Sequence, residues 1–287
     1  ALFCNALPKF CDVSYDGNID VTQIEKHITT KTKLIVPIDF AGNSANIKEI
    51  VEIAKKHNLL VIEDASHALG SEYHDKKVGF FADMAIYSFH AIKPITTFEG
   101  GAVACDDENL YEKLKLIRSH GITKKALWNS DMTILGYNYR LSDIASALGL
   151  NQLKKLDKFI AKREEIASFY DKTFEKNPYF YTIKIENFKK SARHLYPILL
   201  DRRFWCQKED IFIALREKGI GVQVHYKPIY QYTYYKQLFG EQFLQNSEDF
   251  YKAEISIPCH QEMSLNDAKY VAQTLFEIFD KNRGCKT

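Results

Sequence analysis

Apolar residues in the first half of the chain fall in short unbroken runs separated by stretches of helical spacing. Leu34-Ile35-Val36-Pro37-Ile38 and Leu59-Leu60-Val61-Ile62 are apolar at successive positions, the pattern of strands covered on both faces. Pro37 has no amide hydrogen to give to a ladder, so the first run is predicted at an edge or an irregularity. Between the runs, Ile47, Ile50, Val51 and Ala54 recur at helical spacing, and the helix they predict ends near His57-Asn58. Glu63-Asp64 close the second strand. Residues 79–83 read as a turn, 84–89 as the next strand, and 90–99 as a loop containing Pro94. Gly100-Gly101 lead into a return strand, and a helix follows from about Asp107 to Ser119, stopped by Gly121. Alternating strands and helices predict an α/β fold with a mostly parallel sheet flanked by helices.

From Ser142 to about Lys176 the pattern is helical throughout. That length predicts two helices or one bent helix acting as a connector. Beyond it a strand is predicted over 194–200, a helix over 208–218 and a strand over 221–224. A last helix opens at Ser264-Leu265-Asn266-Asp267, whose serine and aspartate suit an N-terminal cap. This second set predicts a smaller C-terminal α/β domain. The division expected is 1–157 for a large domain and 158–287 for a small one.

At 287 residues the chain is long enough for two cores. Its net charge of +2 supplies no field for nucleic acid or an anionic membrane, and no apolar run reaches the length of a membrane span. No signal peptide is visible, and a cytoplasmic enzyme is expected. The six cysteines form no CxxC pair and have no histidine at zinc-ligand spacing. They are expected to be free thiols, with no metal site. The glycine-rich dinucleotide and nucleotide-phosphate loops, HExxH and GxSxG are all absent.

Chemistry is suggested by three polar positions at or just beyond strand ends: Asp64, Ser88 and Lys93. Ligands of open α/β sheets gather at the carboxyl ends of strands. A lone lysine is usually a solvated charge, a strand-terminal aspartate often a cap, and a strand serine a backbone partner. Together, an amine, a carboxylate and a hydroxyl suit pyridoxal 5'-phosphate (PLP). That cofactor needs a lysine, a carboxylate for its ring nitrogen and donors for its phosphate. His67, three residues after Asp64, is within reach of the same site. Gly100-Gly101 reads as a phosphate nest or as a tight backbone approach. Asn138-Tyr139-Arg140 lies in a polar loop before a helix. The run from His225 and Tyr226 through Tyr235 is strongly aromatic.

In these segments the chain resembles the DegT/DnrJ/StrS sugar aminotransferases. Glu63-Asp64-Ala65-Ser66-His67-Ala68-Leu69-Gly70 is similar to their EDAAQAxGA segment, and Ser88-Phe89-His90-Ala91-Ile92-Lys93 to their SFHAIK segment. Glu99-Gly100-Gly101-Ala102 and Gly136-Tyr137-Asn138-Tyr139-Arg140 match two more, in the same order. The resemblance covers essentially the whole chain. It implies a fold-type I PLP-dependent transferase in which Lys93 carries the cofactor and shuttles protons. It also implies that Asp64 pairs with the ring nitrogen, His67 lies by the 3-hydroxyl and Ser88 binds the phosphate. Asn138 is implied to reach the cofactor phosphate of the other subunit of a homodimer. His225, Tyr226 and Arg140 are implied near a UDP-linked keto-sugar, with L-glutamate as amino donor.

Within the family, SFHAIK together with Gln223-Val224-His225-Tyr226-Lys227-Pro228 is most similar to enzymes acting at carbon 4 of UDP-sugars. Relatives that dehydrate sugars carry histidine in place of the lysine, so Lys93 argues for amino transfer. A binding protein without turnover is the other alternative. The family's leading segment, with a phosphate loop and a ring-stacking aromatic, has no counterpart here, and an N-terminal segment is expected to be missing.

Overall fold

The computed structural model describes residues 1–281. Its central sheet has four strands, β1 (Leu34–Ile35), β2 (Leu60–Asp64), β3 (Met84–Ser88) and β4 (Gly101–Ala104), in that spatial order. β1 pairs with β2 and β2 with β3 in parallel, and β4 returns antiparallel to β3. Parallel neighbours need a crossover, and α1 (Ile47–Lys56) supplies the one between β1 and β2. Its Ile47, Ile50 and Ala54 are buried with Ile35, Val61 and Tyr73.

The five-residue apolar run at 34–38 forms only two residues of strand, because Pro37 interrupts the ladder. Ile38 rejoins as an isolated bridge to Asp64, and Asp64 N–H donates to the Pro37 carbonyl at 2.8 Å. Asp39 N–H then donates to the Asp64 carbonyl at 3.0 Å. The ends of the first two strands are thereby locked side by side.

Past β4, α2 (Glu108–Arg118) is capped by Asp107, whose carboxylate accepts from Leu110 N–H at 2.8 Å. A hairpin of β5 (Ile122–Ala126) and β6 (Asn129–Met132) follows. Its polar, exposed residues carry no burial signal, and the periodicity does not predict it. The long helical stretch is two helices, α3 (Asp143–Leu153) and α4 (Leu156–Phe174).

The second core surrounds β7 (Phe180–Thr182), β8 (Tyr196–Leu200), α5 (Lys208–Glu217), β9 (Glu254–Ile257) and α6 (Leu265–Lys281). β8 is the middle strand, antiparallel to both neighbours. Tyr170, Phe180, Ile198, Leu215, Ile255 and Leu275 are fully buried there. Each such side chain contributes roughly 1.5–3 kcal/mol through removal of apolar surface from water. The strand expected over 221–224 is not formed. Val222 N–H turns back to the Ile220 carbonyl at 2.9 Å, and only Gln223 bridges, to Ser256. The third strand of this sheet is β9 instead.

The two cores meet along a seam where Phe40 and Ala41 are buried with Ile183 against Leu195 and Phe250, and where backbone hydrogen bonds cross. Ala192 N–H donates to the Gly42 carbonyl, and Leu195 N–H to that of Ala41, at 3.2 and 3.3 Å. Buried Arg163 on α4 donates through Nη1 to the carbonyls of Arg193, His194 and Cys259. Cys4, Cys11, Cys105 and Cys259 are free thiols. Cys206 is disulfide-bonded, so the expectation of free thiols fails at that position. Cys285 lies outside the described residues. Among the described residues no helix is long and apolar enough to cross a membrane, and no cluster of His, Cys, Asp or Glu has metal-binding geometry.

Candidate active site

Lys93 lies in the loop between β3 and β4. That loop is closed at its neck, where Phe89 N–H donates to the Gly100 carbonyl and Thr97 N–H to that of Phe89, both at 2.9 Å. Inside it, Lys93 N–H donates to the His90 carbonyl at 3.0 Å, which turns the chain and lowers the side chain into a half-buried position. Burial pushes the Lys93 amine below the usual ammonium range, while the charge of Asp64 works in the opposite sense. An amine whose proton is loosely held is a better nucleophile and a better proton carrier.

Asp64 ends β2. One of its oxygens accepts from Ser66 N–H at 3.1 Å, which shapes the turn carrying His67. His67 is buried against Phe40 and His194, with ring centroids 6.4 and 4.5 Å away. Burial pushes its imidazole down to about 3, aided by the like charges of Lys93 and His225. His67 is therefore neutral at pH 7. Its Nδ1 is buried with no hydrogen-bond partner, and its Nε2 is 3.4 Å from Tyr226 Oη. His225 is pushed down to about 4 by burial and by Lys93. His194 is held well below its ordinary value, first by burial and then because a proton on it would face any proton on neighbouring His67.

Asp64, His67, Lys93, His225 and Tyr226 thus share one electrostatic neighbourhood, although they come from both halves of the chain. Ser88 ends β3, where its Oγ accepts weakly from His90 N–H at 3.4 Å. Opposite it, a Cβ on Gly101 would lie 2.7 Å from the Tyr87 carbonyl oxygen, so Gly101 serves a close strand approach. Asn138 and Arg140 are exposed, with Arg140 Nε donating to Asn138 Oδ1 at 3.4 Å, and no hydrogen bond or ion pair among the described residues ties them to these groups.

Three polar residues of the site went unnoticed in the sequence: His194, Glu254 and Ser256. Glu254 accepts from His225 N–H at 2.6 Å and Ser256 Oγ at 2.5 Å, and Ser256 Oγ is 2.8 Å from His225 Nδ1. The available signal was a carboxylate and a hydroxyl alternating with isoleucine in the run Glu254-Ile255-Ser256-Ile257. Charges in such runs are buried only when they have partners.

An amine with a depressed pKa, a strand-end carboxylate, a strand-end hydroxyl and a buried imidazole with an unsatisfied nitrogen form a donor set that fits PLP. The sequence model of the DegT/DnrJ/EryC1/StrS aminotransferase family matches residues 1–276. This chain belongs to that family.

The UDP-4-amino-4,6-dideoxy-N-acetyl-beta-L-altrosamine transaminase of Campylobacter jejuni serotype O:2 is 60% identical to this family member over 284 residues. That alignment spans 98% of this chain and 76% of the relative. The Helicobacter pylori transaminase of the same name is 49% identical over 273 residues, 95% of this chain and 73% of the relative. The solved structure of Helicobacter pylori PseC, an aminotransferase of pseudaminic acid biosynthesis, superposes with a TM-score of 0.95 at 47% identity. It covers 98% of this chain and 76% of that one. The PLP form of the putative sugar aminotransferase Spr1654 from Streptococcus pneumoniae gives 0.91 at 28% identity, over 98% and 77%. The family member is an α/β PLP-dependent aminotransferase of fold-type I. Bound PLP supplies the electrophilic carbon and electron sink through which an amino group is moved.

Proposed function

We propose that this aminotransferase delivers an amino group, taken from L-glutamate, to the 4-keto group of a UDP-linked 6-deoxy-N-acetylhexosamine. The names of the Campylobacter and Helicobacter relatives support the sugar class. The observation that carries the reading is the shared neighbourhood of Lys93 and Asp64 at the ends of the sheet strands. In this reading Lys93 holds the cofactor and, once released, accepts and returns the proton that moves between donor and acceptor carbons. Asp64 keeps the ring nitrogen protonated. His67, neutral, lies by the 3-hydroxyl without adding charge, and Ser88 binds the phosphate. His225 and Tyr226 border the sugar-nucleotide, joined by Arg140.

Asn138 is assigned to the cofactor phosphate of a second copy of the chain, which makes the enzyme a homodimer. Its exposure supports that role. So do the exposed large apolar side chains in the surrounding sequence, Trp128, Leu135 and Ile144, each more than three-quarters exposed. The division at 157/158 belongs to the same reading and is supported by two separate cores. A cytoplasmic location goes with the nucleotide-sugar substrate.

The test is direct. Borohydride reduction of the PLP-loaded protein is expected to fix the cofactor on the Lys93 peptide. A panel of UDP-4-keto sugars with glutamate is expected to yield 4-amino products by mass spectrometry. Lys93→Ala is expected to lose both signals. Label on another peptide, or loss of hydroxyl without gain of amine, overturns the reading.

A further inference from the structure

His225 is joined to a short buried relay whose polarity is fixed by hydrogen counting. Glu254 is fully buried, and its two oxygens accept from different donors, Oε2 from His225 N–H at 2.6 Å and Oε1 from Ser256 Oγ at 2.5 Å. A serine hydroxyl has one proton to give. With that proton directed at Glu254, Ser256 Oγ meets His225 Nδ1, 2.8 Å away, only as an acceptor. Nδ1 must then carry the hydrogen.

We propose that Glu254 and Ser256 are positioning residues that hold His225 as its Nδ1–H tautomer, leaving Nε2 as a bare acceptor for a hydroxyl of the sugar substrate. A histidine's free edge is set by the bond made at its other nitrogen. Substrate enters this statement only through the aminotransferase reading above; the tautomer is a property of the protein alone.

The relay depends on an ionised Glu254. Burial raises its carboxyl to about 7, against the hydrogen bonds from Ser256 and His225 and the charge of Lys208. Lys208, which donates to the Tyr251 carbonyl, and the Tyr226 phenol are the other titratable groups that bear on it. Above neutrality the carboxylate form prevails and the relay runs from His225 through Ser256 to Glu254.

The same counting predicts an inversion. In Glu254→Gln the side-chain carbonyl must face His225 N–H, because that backbone group only donates. The amide NH2 then faces Ser256 and donates to it. Ser256 is forced to donate to His225 Nδ1, and the ring hydrogen moves to Nε2.

The measurement is nitrogen NMR of 15N-histidine-labelled, PLP-loaded protein near pH 8, above the Glu254 value of about 7, with the His225 signal assigned by His225→Gln. The wild type is expected to show a protonated Nδ1 and an unprotonated Nε2, and Glu254→Gln the reverse. In a Ser256→Ala background the Glu254→Gln change is expected to leave the His225 signal where Ser256→Ala alone puts it. A wild-type ring protonated at Nε2, or the same tautomer in wild type and Glu254→Gln, overturns the proposal. If Glu254→Gln does not fold, the wild-type tautomer decides. Turnover plays no part in the readout, so failure here is separate from failure of the substrate assignment.

Discussion

Tyr226 Oη lies 3.4 Å from His67 Nε2, across 159 residues of sequence. That contact joins the turn after β2 to the segment before the second sheet's β9. At this length it is a weak hydrogen bond, and its net contribution is about 1 kcal/mol. Tyr226→Phe is expected to raise KM for the nucleotide sugar about three- to tenfold while kcat changes less. Steady-state kinetics with the sugar varied at saturating amino donor checks it; an unchanged KM removes Tyr226 from the binding surface.

The buried imidazoles make the fold acid-sensitive. His67 and His225 have ordinary values of 6.5 and fall to about 3 and about 4 in the folded chain, first through burial. His194 is lowered as well. Unfolding releases these rings to water, where they bind protons below pH 6.5. Their stabilisation is therefore complete above that value and lost as pH falls toward the folded values. By pH 5 the cost at His67 alone is about 2 kcal/mol, and less at the half-buried His225. Glu254, raised to about 7 by burial, works in the opposite sense over the same range, so the imidazole effect is read as a difference: urea midpoints measured from pH 8 to 5 are expected to fall more, or rise less, in the wild type than in His67→Gln.

Beneath the site, Asp39 and Glu63 share a proton. Asp39 Oδ1 accepts from Ala45 N–H at 2.9 Å and Glu63 Oε2 from Gly79 N–H at 2.6 Å. Their remaining oxygens, Asp39 Oδ2 and Glu63 Oε1, are buried with no other partner, and each carboxyl acts on the other's titration. Two carboxyls buried side by side are satisfied by one hydrogen between them, and burial beside Glu63 pushes Asp39 well up, which favours Asp39 as its holder. Asp39→Asn supplies an N–H in place of that O–H and is expected to fold with nearly wild-type stability. Asp39→Ala leaves Glu63 buried and unpaired, at a cost of about 3 kcal/mol. Chemical denaturation of both variants decides; equal losses contradict the shared proton.

Gly101 faces Ser88 across the β3–β4 pair, and an added Cβ would press to 2.7 Å from the Tyr87 carbonyl oxygen. Backbone cannot yield as a side-chain tip does. Gly101→Ala is expected to cost about 1–3 kcal/mol and to loosen the Lys93 loop. Thermal melting and PLP affinity by fluorescence titration are expected to fall together. Unchanged affinity in a destabilised variant would show that the loop is held elsewhere.

The sequence by itself determined the parallel sheet, α1, the split helical connector and the α6 cap, because each rests on local periodicity or on a residue that ends an element. It also marked Asp64, Ser88 and Lys93, since strand ends are where a chain of this class leaves polar groups. Other features depended on which segments meet. Pro37 trimmed the first strand to two residues. The segment 221–224 lost its place in the second sheet to Glu254–Ile257, a run whose alternating charge and hydroxyl hid its burial. Only the tertiary structure decided that His194 and His225 come within electrostatic reach of Lys93, with Glu254 and Ser256 bonded behind His225. Burial, partner choice and the proton each group holds arise from contacts between distant residues, and no local pattern encodes them.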